Sequence, residues 1–158
     1  MGFEINITDE GGKKVLVING NIDEDAIFPE IELGREEVEV DMGNVKAVNS
    51  VGIRSWLKWI SPLSEETVFV FRNCPKSVVL QMNMVEGFLP KTSRVNSLQV
   101  PFYSEDQDEE KDALFVVGQD VTIENGSILV NFDTSKLGGE DWEMDVNENK
   151  YFKFLKPE

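Results

Sequence analysis

The sequence predicts an α/β fold followed by a small all-β extension, and three observations carry that expectation. The chain opens on strand-like runs in which apolar and polar residues alternate, Phe3–Thr8 and Lys14–Asn19. A helical stripe then falls between two further strand-like runs: Ile53, Trp56, Leu57 and Ile60 follow the i, i+3, i+4, i+7 spacing that places four apolar groups on one helical face. Beyond the acidic run Glu105–Glu110 the periodicity is that of short strands alone.

Taken in order, the first two strands meet at Asp9-Glu10-Gly11-Gly12, a turn sequence, and read as a hairpin. Residues 23–37 hold Ala26, Ile27, Ile31 and Leu33 as apolar candidates, but Pro29 and Gly34 limit any helix there to a short one. Glu37–Met42 alternates as a strand. Asn49, Ser50 and Gly52 suit a tight turn and the N-cap of the helix that runs to Ile60, with Ser61-Pro62 after it. A hydroxyl at such a helix start lies where free N–H groups and the helix dipole favour added negative charge. Ser50 is therefore a candidate phosphate acceptor, with a plain helix cap as the alternative. Arg54, Ser55 and Lys58 fall on the helix's solvated side.

Thr67–Phe71 is a continuous apolar run, as expected of a strand covered on both faces. Cys74-Pro75 opens a second helix with Val78, Val79, Met82 and Val85 as its core stripe and Gly87 as its stop; Leu80 and Met84 lie off that stripe. Val95–Tyr103 reads as a strand, and Glu105–Glu110 as a solvated linker or turn. Strands then follow at Ala113–Val117, at Val121–Ile123 and Ile128–Val130 around Asn125-Gly126, and at Tyr151–Leu155. The expected division is residues 1–102 and 103–158.

Composition narrows the function. A net charge of −15, from 30 acidic and 15 basic residues, repels a phosphate backbone, so nucleic acid is not an expected partner. No apolar run reaches the roughly 18 residues that span a bilayer, and no leader pattern opens the chain, so a cytoplasmic protein with no membrane partner is expected. The absence of histidine and the single Cys74 exclude Ser-His-Asp and Cys-His chemistry and the usual zinc ligands. No nucleophile with a positioned base is visible. The expectation is a binding protein rather than an enzyme, with no cofactor and no metal.

The element order β-β-α-β-α-β-α-β, with Asn49-Ser50-Val51-Gly52-Ile53 at a strand–helix turn, resembles the STAS domain of anti-sigma factor antagonists over about residues 1–102. That family's turn reads Asp-Ser-Ser/Thr-Gly-Leu. Ser50 matches its phosphorylated serine, Gly52 its glycine and Ile53 is similar to its leucine, while Asn49 stands for the aspartate and Val51 for a hydroxyl residue. Asn21-Ile22-Asp23 is similar to the family's turn after the second strand, and Pro75-Lys76-Ser77-Val78 to its Pro-initiated last helix. The resemblance implies a mixed sheet with helices packed mainly on one side. It also implies a regulatory protein–protein interaction module whose partner is an anti-sigma factor or serine-kinase-like protein, switched by phosphorylation of Ser50. The implied partner-binding residues are Asp23, Asn49, Ser50, Val51, Gly52, Arg54, Ser55 and Lys58. The rival expectation is a non-switching, self-assembling scaffold in which Ser50 is only a cap.

The C-terminal part resembles a zinc ribbon without its cysteines: Ser104 and Gln107, and Thr134 and Leu137, occupy the ligand positions of two knuckle-like turns. Packing by Phe115, Ile128, Trp142 and Phe152 would then hold it in place of metal.

Overall fold

The computed structural model describes residues 2–139 and 141–156. Strands β1 (Glu4–Glu10) and β2 (Lys13–Asn19) form the expected hairpin around Gly11-Gly12, both with positive φ. Beyond them β3 (Glu37–Asn44), β4 (Val68–Arg72) and β5 (Arg94–Val95) continue the sheet in the order β1-β2-β3-β4-β5. The first pair is antiparallel and the rest are parallel. Parallel neighbours need crossovers, and helices α1 (Ser50–Leu63) and α2 (Lys76–Met84) supply two of them.

Side-chain alternation sorts the two faces. Leu16, Val40 and Phe71 lie in register across β2, β3 and β4 and are buried in one core with Trp56 and Ile60 of α1 and Val78, Val79 and Met82 of α2. The opposite face of the same strands carries Glu39, Asp41 and Arg72, and the Arg72 guanidinium pairs with Glu10, Glu39 and Asp41 at 3.0, 2.9 and 3.3 Å. One cation thus ties β1, β3 and β4 together on the polar face. The fold is mixed α/β, and no helix among the described residues is long and apolar enough to cross a membrane.

The third crossover differs from expectation. Residues 24–36 form no helix: after a turn at Glu24-Asp25 they run as an irregular strap to a bend at Arg35-Glu36. Non-local contacts explain this: Phe28 stacks on Trp59 with ring centroids 5.2 Å apart, the Trp59 indole N–H donates to the Pro29 carbonyl, and the Thr67 hydroxyl donates to the Gly34 carbonyl. Ala26 is buried, Ile31 and Leu33 are half-buried, and Ile27 is exposed. Helix α1 also continues through Pro62 to Leu63, since a proline in the last turn disturbs few remaining hydrogen bonds.

The predicted strand Val95–Tyr103 is divided. Strand β5 ends at Val95, and after Asn96 the chain enters a second sheet as β6 (Ser97–Ser104), so position 102 falls inside a strand. Strand β6 pairs with β7 (Glu109–Val116) and with β10 (Glu143–Met144). Of the two readings of the acidic run, the turn holds: residues 105–108 are the tip of the β6–β7 hairpin, with Asp108 in the left-handed region at φ 50, and Glu109 and Glu110 begin β7. Strands β8 (Val121–Glu124) and β9 (Ser127–Val130) form the hairpin expected around Asn125-Gly126. The final segment is not a strand but a helical turn, α3 (Glu148–Tyr151), followed by a 3-10 turn, Lys153–Leu155. Asn147 caps α3, and the adjacent Tyr151 and Phe152 are both buried, which the two-sided alternation of a strand does not favour.

The second sheet is joined to the first through main-chain hydrogen bonds, with a bridge between Cys74 and Leu98. The Asn96 N–H donates to the Phe71 carbonyl and the Gln99 N–H to the Cys74 carbonyl, both at 2.7 Å. Asn83 of α2 donates to the Tyr151 carbonyl and accepts from the Phe154 N–H, each at 2.8 Å. A single buried cluster therefore runs from Leu16 to Phe152.

Candidate functional site

The turn between β3 and α1 is held by backbone before any side chain acts. Ile22, in the loop after β2, forms a bridge with Val48; its N–H donates to the Ala47 carbonyl and its own carbonyl accepts from the Asn49 N–H at 3.0 Å. Gly52 lies against that carbonyl. A Cβ at this position would overlap the Ile22 carbonyl and stand 2.5 Å from the Asp23 nitrogen, so only glycine allows the helix start and the loop to approach this closely.

The N-cap is Asn49, not Ser50. Its Oδ1 accepts from the Gly52 N–H at 2.9 Å, and its amide nitrogen donates to Glu24 Oε2 at 2.7 Å. That amide, together with a backbone hydrogen bond, holds the Glu24 carboxyl below its usual range. Ser50 is the first helical residue and is exposed, with its hydroxyl unused for capping. Beside it Val51 is about half exposed, at 48%.

Asp23, Asn49, Ser50, Val51 and Gly52 are thus brought to one corner. Arg54 and Lys58 continue from Ser50 at four-residue steps along the exposed side of α1. Ser55 is partly buried, and its hydroxyl donates to the Val51 carbonyl, a local bond within the helix. Sequence reasoning passed over Glu24 and Asp25. With Asp23 they place three carboxylates within 4.8 Å of one another. The Asp23 carboxylate accepts from the Asp25 N–H, and Glu24 from Asn49, so hydrogen bonds already occupy two of the three. These are hard oxygen donors of the kind that suits calcium or magnesium. The run Asp23-Glu24-Asp25 was visible in the sequence; its approach to Asn49, 25 positions on, was not.

The turn at residues 104–107 and the turn at Thr134–Leu137 also meet. Ser104 is fully buried and its hydroxyl accepts from the Gln107 N–H at 3.2 Å. The Gln107 side-chain amide donates across to the Gly138 carbonyl at 2.8 Å, and the Trp142 indole N–H donates to the same oxygen at 3.2 Å. Lys111 donates to the Leu137 carbonyl and lies over the Trp142 ring. Gly139, at φ 121, leaves room for the Gln107 amide, which would be 2.8 Å from a Cβ there. Hydrogen bonds and an aromatic cluster of Phe102, Phe115, Phe132 and Phe152 hold this end of the molecule.

No protein-family model, curated protein or solved structure matches this chain.

Proposed function

We propose that the chain is a regulatory protein–protein interaction module of STAS-like organisation, whose β3–α1 corner docks a protein partner and is switched by phosphorylation of Ser50. The observation that supports this reading best is the division of labour at the helix start. Asn49 makes the cap and Gly52 the close contact, which leaves the Ser50 hydroxyl exposed beside the N–H groups of the first turn. A phosphate would add about −1.5 to −2 charges next to Asp23, Glu24 and Asp25 and repel an acidic partner surface. Val51 and the row Ser50, Arg54, Lys58 form the contact face in this reading. The partner class is an anti-sigma factor or serine-kinase-like protein, the setting is cytoplasmic, and the C-terminal sheet is a cysteine-free relative of a zinc ribbon held by the Gln107–Gly138 contact.

The test is incubation of the full chain with soluble extract of its host and ATP, followed by intact mass and peptide mapping. Phosphate confined to Ser50 is expected. Ser50→Asp should weaken binding to the captured partner while Ser50→Ala preserves it, and equal binding by both variants would refute the switch. A second reading, a self-assembling scaffold, is favoured by Leu80 and Met84, which lie four apart on α2 and are 38% and 69% exposed. Concentration-independent monomer mass in light scattering would remove it.

A further inference from the structure

The strap and the far end of α1 enclose an open groove of about 610 Å³, continuous with a second depression of about 510 Å³ through shared walls at Ile31, Glu32, Pro62 and Leu63. We propose that this groove binds an extended cationic peptide segment with apolar side chains between its charges. Its apolar wall is formed by Ile31, Trp59, Pro62 and Leu63, and its rim carries Glu30, Glu32, Glu65 and Glu66 against the single cation Lys58. The ion pairs among the described residues use Glu10, Glu36, Glu37, Glu39 and Asp41, so these four rim glutamates have no close cationic partner there.

The strap's backbone points to an extended ligand. Among the described residues, positions 30–33 make no hydrogen bond through the main chain, whereas the flanking Pro29 and Gly34 carbonyls are both engaged. An extended peptide could pair with those free groups while its alternate side chains face apolar wall and acidic rim, as in strand addition. Charge selects the occupant. A second copy of this chain brings a net −15 to an acidic rim, whereas arginine or lysine brings the complement. The groove begins eight residues beyond Ser50 at Lys58, about 12 Å along the helix. The groove therefore shares only Lys58 with the contact row of α1, and its acidic rim and apolar wall do not depend on the proposed phosphoswitch.

The experiment uses the full chain with two amidated nine-residue probes, one alternating arginine and leucine and the other glutamate and leucine. Binding is followed by fluorescence anisotropy and by amide chemical shifts. Two variants separate groove binding from bulk attraction to an acidic protein: Glu32→Lys with Glu66→Lys in the groove, and Glu109→Lys in β7 with Glu124→Lys in β8, away from it. Each pair of replacements changes the net charge from −15 by +4, to −11. The expected result is binding of the arginine probe alone, with shifts at residues 30–33 and the Trp59 indole. The groove variant should weaken it by about tenfold or more and the control by less than about twofold. Equal weakening by both variants, shifts confined to other surfaces, absence of binding by the arginine probe, or self-association through the groove would each overturn the proposal.

Discussion

Replacing Gly52 by alanine tests the geometry of the candidate site directly. The added Cβ would overlap the Ile22 carbonyl, and relaxed carbon contacts begin near 3.5 Å, so loop and helix must separate by roughly 1 Å or more. The hydrogen bonds Asn49 N–H to Ile22 carbonyl and Ile22 N–H to Ala47 carbonyl, 3.0 and 2.9 Å, lie directly in the path of that movement. Each contributes about 1 kcal/mol net, and overpacking costs about 1–3 kcal/mol. Alanine returns up to about 1 kcal/mol through helix propensity. The expected net loss is about 2–4 kcal/mol, read as the difference in unfolding free energy by urea denaturation. At a domain of this size it lowers Tm by roughly 4–16 °C. Gly34→Ala is the control: no atom lies within 4 Å of a Cβ there, and the expected change is a gain of a few tenths to about 1 kcal/mol. A loss below about 0.5 kcal/mol for Gly52→Ala, with the control behaving as stated, would refute the close approach of Ile22 to α1.

Two further outcomes follow from other parts of the structure. Asn49→Ala removes the cap and should cost about 1–2 kcal/mol, whereas Ser50→Ala, which removes no cap, should stay within about 0.5 kcal/mol; urea denaturation of both variants checks the order, and a larger loss at Ser50 would return the cap to it. Burial pushes the Cys74 thiol and the Tyr151 phenol far above their ordinary values of 9.0 and 10.0. Both keep their protons in the folded chain while the unfolded chain loses them. Their contribution is therefore fully present below pH 9 and declines as pH rises, by up to about 1.4 kcal/mol per pH unit per group. Unfolding midpoints between pH 7.5 and 10.5 should fall, less steeply in Cys74→Ala, and an identical slope in the two proteins would contradict this.

How far the sequence discloses this molecule depends on whether the deciding contact is local. The Asn125-Gly126 turn, the Pro75 helix start and the Val78, Val79, Met82 stripe are settled within a few residues of themselves, and each is where the pattern predicts. The strap is different, because Trp59 and Thr67, roughly thirty positions away, fix its course. Tyr151–Leu155 has the composition of a strand, yet Tyr151 turns inward to donate its hydroxyl to the Gln99 carbonyl and Phe152 stacks on Phe115. The change of sheet at Asn96 does not interrupt the alternation of a strand, since Val95 and Ser97 on either side of the exposed Asn96 are both buried. At the site, Asn49 to Gly52 were legible as a turn, while the choice of cap depended on where the helix begins to within one residue. Glu24 entered the site only through its contact with Asn49.

Asn83 gives the second helix two masters. One side-chain amide satisfies the Tyr151 carbonyl and the Phe154 N–H, while the neighbouring Val79 and Met82 belong to the core beneath the first sheet. A chain cut after residue 102 would leave that amide facing water and strip β7 and Tyr151 from the buried strand β6. The C-terminal third is therefore not cargo carried by an independent module. Denaturation should be a single transition, and an event that loosens one end of the molecule is transmitted to the other as a loss of the same cooperative unit.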